Sequence, residues 1–99
     1  MEILENKNNV LIIKEKKLAF FENQASEMIT IFKFYSYNTY IASYEKENKK
    51  IILNGEYWKY SQTTIKQFKN FINEYTHILY TTKKDFEKTI LNNNDIIIL

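Results

Sequence analysis

The sequence predicts an α+β fold in which an antiparallel β-meander precedes two helices. Short runs of β-branched and aromatic residues, separated by polar turns, occupy residues 10–53, and such runs are typical of strands. After residue 61, apolar residues recur at spacings of three and four, which is the helical period. At 99 residues the chain is expected to form a single domain over residues 1–99, with residues 1–9 as a loosely held terminus.

The first half of the chain reads as a series of strands. Apolar runs at residues 10–13 and 18–21 flank a charged tip and predict a hairpin, with a helix over residues 14–24 as the alternative. Apolar groups on both faces of residues 28–35 indicate a central strand. A tight connection at residues 36–38, a half-buried strand at 39–44, a charged tip at 45–50 and a third strand at 50–53 complete the meander. Asn54 and Gly55 give the strongest turn signal, since both residues tolerate positive φ.

The second half predicts two helices and a tail. Ser61 is the expected N-cap of the first helix, whose inner face carries Ile65, Phe68 and Ile72. Thr82 is the expected cap of the second helix, with Asp85 in its first turn. This helix ends at residues 92–94. The apolar tail at residues 96–99 either adds a strand to the sheet edge or fills an interface.

Composition excludes several classes of protein. There is no cysteine, so a disulfide scaffold, a thiolate metal site and a cysteine nucleophile are all excluded. With one glycine, a glycine-rich phosphate loop cannot form. No apolar run approaches the length of a membrane helix, and the N-terminus lacks signal-peptide character. We therefore expect a cytoplasmic protein without membrane association.

The residues needed for catalysis are scarce. His77 is the only histidine, and its spacing from Glu74 matches one half of a di-metal motif that requires two copies. Ser61, His77 and Asp85 could be written as a triad, but nothing in the sequence brings them together. We expect no enzymatic activity, no catalytic residue, no cofactor, no metal and no small-molecule substrate.

Residues suited to nucleic-acid binding are more numerous than residues suited to catalysis. Residues 59–67 open a helix with hydroxyls, amides and lysines, and a helix start suits a phosphate group. Gln62 and Gln67 carry the amide geometry that pairs with adenine. The alternative is that Ser61 and Thr64 only cap the helix while the other side chains are solvated. The net charge of the chain is only +2. Because arginine, the usual partner of guanine, is absent, any DNA site is expected to be A·T-rich.

Two short motifs resemble those of a known group of small proteins. SYNTYIA at residues 36–42 and WKYSQTT at residues 58–64 resemble a pattern shared by small proteins of phages and mobile elements of Gram-positive bacteria. The pattern is similar to that of TcpK-like accessory proteins of clostridial conjugative plasmids. The resemblance implies a winged-helix-like fold that binds DNA near a transfer origin as a dimer. It also implies a DNA-facing helix start carrying Ser61, Thr63, Thr64 and Lys66, with Asn38 and Thr39 nearby.

The leading hypothesis is a double-stranded-DNA-binding accessory or regulatory protein of a plasmid or phage, acting as a homodimer. Its expected DNA contacts lie on a helix start and a hairpin tip: Asn38, Thr39, Lys46, Lys49, Lys50, Lys59, Ser61, Gln62, Thr63, Thr64, Lys66 and Gln67. The alternative is a protein-binding module, for instance an inhibitor of a host or competing complex, that uses the aromatic-rich sheet. A structural subunit is a third possibility, for which the sequence carries no distinctive mark.

Overall fold

The computed structural model describes residues 1–19, 27–78 and 85–99. Its elements, in chain order, are β1 (Glu2–Lys7), β2 (Val10–Ala19), β3 (Glu27–Ser36), β4 (Thr39–Glu45), β5 (Lys50–Leu53), α1 (Gln62–Tyr75), α2 (Phe86–Asn92) and β6 (Ile96–Ile98). The strands form one six-stranded sheet in the order β1-β2-β3-β4-β5-β6. Every neighbouring pair is antiparallel except β5 and β6, which are parallel. The predicted α+β class, with a meander followed by two helices, is confirmed.

The N-terminal predictions were wrong in two respects. Residues 2–7, expected to lie in a loose terminus, form β1 and pair with β2. Residues 14–17, expected to form a hairpin tip, continue straight through β2, where Lys14 pairs with Phe32 and Lys17 with Ile29. The alternative helix from residue 14 is also wrong for the described part, and residues 20–24 lie outside the described residues. The chain reverses instead at residues 8–9.

The centre of the meander follows the prediction. β3, the tight turn after Ser36, β4, the charged tip and β5 all lie where the sequence indicates. β4 is more buried than expected, since the residues from Ile41 to Tyr44 are all buried. The chain turns at Asn54–Gly55 as predicted, although neither residue has positive φ. Gly55 instead allows a close approach of the C-terminal strand.

Helix α1 packs its apolar face on the sheet. Phe34 of β3 stacks on Phe68 and Phe71, with ring centroids 6.3 and 5.3 Å apart. Phe68 also meets Trp58 at 5.9 Å and Phe86 of α2 at 5.7 Å. Each of these rings is at most 2% exposed. Phe68 therefore joins the sheet, the loop before α1 and α2 in one core.

The helix boundaries depend on local capping. Ser61 is the N-cap of α1 as predicted, because its Oγ accepts from the Thr64 N–H at 3.1 Å. The second helix begins later than expected, at Phe86. Asp85 takes the N-cap position, and its side chain makes no capping hydrogen bond. Thr82, the predicted cap, lies outside the described residues. The apolar tail forms β6 on the sheet edge, one of its two predicted positions.

Candidate functional site

A cleft opens where β3 turns into β4 and where α1 begins. Its volume is about 570 Å³. It is lined by Tyr37, Tyr57 and Tyr60, which are 54%, 38% and 77% exposed. The other lining residues are Ser36, Thr39, Ile41, Ser61, Thr63 and Thr64. We call this site the tyrosine cleft. None of the described residues that line it carries a charge.

Two tight turns place Tyr37 at the cleft. Asn8 and Asn9 have φ of 54° and 64°, and Tyr37 and Asn38 have φ of 50° and 66°. Positive φ at both central residues is characteristic of a type I′ hairpin turn. The Tyr37 N–H donates to the Asn9 carbonyl oxygen at 2.9 Å, so the two turns lie side by side.

Tyr37 adopts a backbone conformation that is unfavourable for tyrosine. Left-handed φ is readily adopted by Gly and Asn, but it costs other L-residues about 1–2 kcal/mol. Because the residue is 54% exposed, burial in the core does little to offset this cost. Backbone outliers of this kind are concentrated at functional sites, although Lys49, in the tip between β4 and β5, also has a positive φ, of 53°.

A chain of hydrogen bonds underlies the cleft. Ser61 Oγ donates to Thr64 Oγ1 at 3.1 Å, and Ser36 Oγ donates to Gln67 Oε1 at 2.5 Å. Ser36 Oγ and Thr64 Oγ1 lie 3.3 Å apart, so the Thr64 proton can complete the chain towards Ser36. Gln67 Nε2 donates to the Asn8 carbonyl oxygen at 3.3 Å. These bonds fix the start of α1 against the sheet and the first turn.

Most of the predicted nucleic-acid-binding residues lie at this end of the molecule: Asn38, Thr39, Ser61, Gln62, Thr63, Thr64, Lys66 and Gln67. The structure thus brings Asn38 and Thr39 close to the helix start. Ser61, Thr64 and Gln67 are engaged in the hydrogen-bond chain. Gln62, Thr63 and Lys66 are exposed and therefore accessible to a partner.

Of the other predicted lysines, Lys59 lies on the loop beside the cleft and the rest lie elsewhere. The hairpin lysines are at the far end of β4: Lys46, Lys49 and Lys50. Since β4 has seven residues, it separates them from the cleft by about 20 Å. Lys50 pairs with Asp95 at 3.3 Å, and Lys59 pairs with Glu87 at 2.7 Å. The predicted contacts therefore do not form one continuous basic surface.

A second groove, of about 370 Å³, runs between β1 and α1. Lys7 and Lys66 line it together with Glu5 and Glu74. Its opposite charges balance, so the groove is not a basic surface either. Thr63 borders both this groove and the tyrosine cleft.

His77 belongs to a polar chain away from the cleft. Its Nδ1 lies 3.1 Å from the Tyr44 hydroxyl, and its Nε2 lies 2.8 Å from Asp95 Oδ2. Hydrogen bonds from His77 and then Lys50 hold the pKa of Asp95 below its usual value. Burial raises the pKa of the Tyr44 phenol. The hydrogen bonds from Tyr44 through His77 to Asp95, with the ion pair of Asp95 and Lys50, thus connect β4, β5 and the start of β6.

The catalytic combinations considered from the sequence are not assembled. Ser61 and His77 lie beyond opposite ends of the 14-residue α1, about 20 Å apart. Ser61, His77 and Asp85 therefore do not form a triad. In residues 1–19, 27–78 and 85–99, no three acidic or histidine side chains cluster as metal ligands would. Within the same ranges, no helix has both the length and the apolar character to cross a membrane.

Comparison with known proteins identifies the family. A model described as a family of unknown function, DUF8033, matches residues 2–88. The chain belongs to the DUF8033 family. The family match includes every residue of the tyrosine cleft and excludes β6. No curated protein matches the chain significantly, and neither does any solved structure. The resemblance to plasmid and phage proteins stays a prediction.

The cleft itself was missed by sequence reasoning. The surplus of tyrosines pointed to an interface, but their placement on the sheet was expected. Tyr35 and Tyr40 do lie on strands, in edge-to-face contact at 5.9 Å, whereas the cleft tyrosines lie on a turn and a loop. The one local signal was a tyrosine beside Asn38 in a predicted tight connection, where glycine is the usual neighbour.

Proposed function

We propose that the protein is a non-enzymatic binding module that holds a protein partner at the tyrosine cleft. The observation that carries the proposal is the exposed ring of Tyr37 on an unfavourable backbone conformation. A local cost in stability that packing does not offset is typical of residues that bind a partner. The protein-binding alternative considered from the sequence used the aromatic-rich sheet as its binding surface. The present proposal places that surface at the end of the sheet, in the tyrosine cleft.

The chemistry of the cleft supports a protein partner. Tyrosine offers a large amphipathic contact area with only two side-chain torsions to order, and Ser, Thr and Asn add adaptable hydrogen bonds. The loop before α1 presents Tyr57 and Tyr60 with ring centroids 6.2 Å apart. Trp58, only 2% exposed, anchors that loop in the core. The buried Trp58 thus fixes the loop that carries these two exposed rings, which lowers the conformational entropy lost on binding.

The charge distribution also favours a protein over a nucleic acid. Affinity for a phosphate backbone comes from cations that replace counterions. The cleft lining is uncharged, Lys59 is paired with Glu87, and Lys50 is paired with Asp95. Stacking, apolar contact and hydrogen bonds to hydroxyl groups are therefore the main interactions that the cleft lining offers.

The test places a photo-crosslinking benzoylphenylalanine at Tyr60 of the full chain in its native host. A matched control carries the same group at Met28, which is 55% exposed near the opposite end of β3. We expect a defined protein to be captured from position 60 and not from position 28. The affinity of that protein is then measured for the unmodified chain, Tyr60→Ala and Met28→Ala.

Tyr60→Ala is expected to weaken binding at least about tenfold, since interface tyrosines are frequent hot spots. Because Tyr60 is 77% exposed, its truncation should spare the fold. Met28→Ala should leave the affinity unchanged. Equal capture at both positions, or equal affinities of the two variants, would refute a site at the cleft.

A second candidate is the double-stranded-DNA-binding protein of the leading hypothesis. It is supported by the proximity of Asn38 and Thr39 to the helix start, where Gln62, Thr63 and Lys66 are exposed. In this proposal a winged-helix-like homodimer of a plasmid or phage protein grips phosphates at α1. A standard winged helix has its wing after the recognition helix, whereas this meander precedes α1.

Fluorescence anisotropy with an A·T-rich duplex at several salt concentrations tests this candidate. Lys66→Ala should weaken binding to all duplexes and lower the salt slope by about one. Lys17→Ala is the matched control and should leave the slope unchanged, because Lys17 is exposed near the opposite end of β2 and is not among the predicted DNA contacts. No binding at low salt by the folded chain would eliminate the candidate.

A further inference from the structure

The C-terminal strand presents an open edge with a defined hydrogen-bonding pattern. Leu99 N–H donates to the Leu53 carbonyl oxygen at 3.0 Å, and Ile51 N–H donates to Asp95 at 2.8 Å. Residues 95, 97 and 99 therefore direct their backbone groups towards β5. Strand alternation turns the N–H and C=O of Ile98 away from β5. In the part of the chain that the structure describes, no strand pairs with that outer side.

The position of β6 at the edge of the sheet depends on Gly55 and Asp95. Gly55 N–H donates to the Leu99 carbonyl oxygen at 2.9 Å. A Cβ at Gly55 would lie 2.6 Å from that oxygen and 2.8 Å from Ile98 Cγ2. Since Gly55 does not have positive φ, the only glycine of the chain is required by the approach of β6. The ion pair of Asp95 with Lys50 and its hydrogen bond with His77 hold the start of the strand.

The two edges of the sheet differ in their protection. β1 carries Glu2, Glu5 and Lys7 and has an irregular register between Ile3 and Glu5. Charges and bulges on an edge strand discourage pairing with another chain. β6 has neither feature: it consists of isoleucines followed by Leu99. Ile97, Ile98 and Leu99 are nevertheless 46%, 42% and 80% exposed.

We propose that β6 pairs with β6 of a second copy of this chain, antiparallel and across a two-fold axis at Ile98. The outward N–H and C=O of Ile98 then bond to the same groups of the other copy, which is the hydrogen-bonded pair of an antiparallel ladder. The side chains of the strand are uncharged, so the two-fold axis brings no like-charged side chains together, and Asp95 is ion-paired with Lys50. The two sheets become one continuous twelve-stranded sheet. This pairing does not depend on the proposed function.

The dimer is expected to be weak and reversible, because so short a strand buries less than the roughly 1,200 Å² of a stable interface. Analytical ultracentrifugation of the full chain should show a monomer–dimer equilibrium that shifts with concentration. Ile98→Pro removes the outward N–H and keeps the inward bonds, because proline is tolerated where an edge N–H faces solvent. We expect this variant to be a folded monomer with unchanged Trp58 fluorescence. Ile98→Val, which keeps the N–H, should dimerise like the parent chain.

Ile98→Lys provides a second route if proline disturbs the fold. It keeps the N–H but sets two like charges across the two-fold axis, and the residue is exposed enough to accept a charge. A folded, monomeric Ile98→Lys chain would support the proposal. A parent chain that stays monomeric at millimolar concentration would overturn it, and so would folded proline and lysine variants that still dimerise. Tyr60→Ala should remain a dimer, which separates this interface from the tyrosine cleft.

Discussion

At the scale of single residues, Tyr37 has a backbone conformation that is unfavourable for its side chain. Its φ of 50° suits the type I′ turn but not tyrosine, and its ring is more than half exposed. The other turn of the same type uses Asn8 and Asn9, which suit such φ values. Lys49, in the tip between β4 and β5, also has a positive φ, of 53°, but it lies outside the tyrosine cleft.

Tyr37→Asn should raise the free energy of unfolding by about 1 kcal/mol, because asparagine adopts left-handed φ more readily. The measurement is chemical denaturation followed by circular dichroism. Tyr60→Asn is the matched control, since it makes the same replacement at an exposed residue without positive φ. It should change stability by less than about 0.5 kcal/mol. A loss of stability in Tyr37→Asn would show that the ring contributes packing and remove this argument for the cleft.

Tyr75 makes a second residue-scale prediction, on pH dependence. Burial and a hydrogen bond to Glu5, with 3.0 Å between the oxygens, raise the pKa of Tyr75 from 10.0 to about 12. The fold thus favours the neutral phenol. Its contribution to stability is fully present below pH 10 and is lost as the pH rises towards 12. The stability difference between the parent chain and Tyr75→Phe, measured from pH 8 to 11.5, should shrink above pH 10. A difference that does not vary with pH would contradict the raised pKa.

At the scale of elements, the start of α1 combines a cap with the hydrogen-bond chain. Ser61→Ala removes the acceptor for the Thr64 N–H and the donor to Thr64 Oγ1. We expect a loss of about 1–2 kcal/mol in the free energy of unfolding, the range of strong N-caps. Thr63→Ala is the control, because Thr63 is an exposed neighbour outside the cap. If both variants lose the same stability, the helix start does not depend on the cap.

The same elements show what could be predicted from the sequence. α1 and its cap were predictable because periodicity and capping are local properties of residues 61–75. β2 was not, because residues 14–17 are all charged and have no alternation of apolar and polar side chains. Only their pairing with β3, along which lysine stems can lie, makes them a strand. The tyrosine cleft likewise depends on a contact between residues 36–41 and 57–64, which no local pattern contains.

At the scale of the whole molecule, the tyrosine cleft and the β6 edge occupy different regions. The tyrosine cleft lies at the end of the sheet where β4 begins, and β6 is one lateral edge. Between them the core is continuous, because Phe68 contacts Phe34 of the sheet, Trp58 of the cleft loop and Phe86 of α2. A partner bound at the cleft is therefore held by a loop that shares its core with the sheet.

Phe68→Ala tests whether the cleft loop and the sheet unfold together. Phe68 is fully buried, so its truncation should cost about 3–5 kcal/mol, a large share of the 5–15 kcal/mol typical of such a domain. Trp58 is the only tryptophan and reports on the cleft loop, while far-ultraviolet circular dichroism reports on the sheet and helices. In one cooperative unit both signals move to the same lower denaturant midpoint. Ile65→Ala, at a half-buried position on the same helix, should shift both midpoints by less. If only the midpoint of the fluorescence transition falls, the loop unfolds separately from the sheet. The loop would then not be anchored in the core, as the proposed binding at the cleft requires.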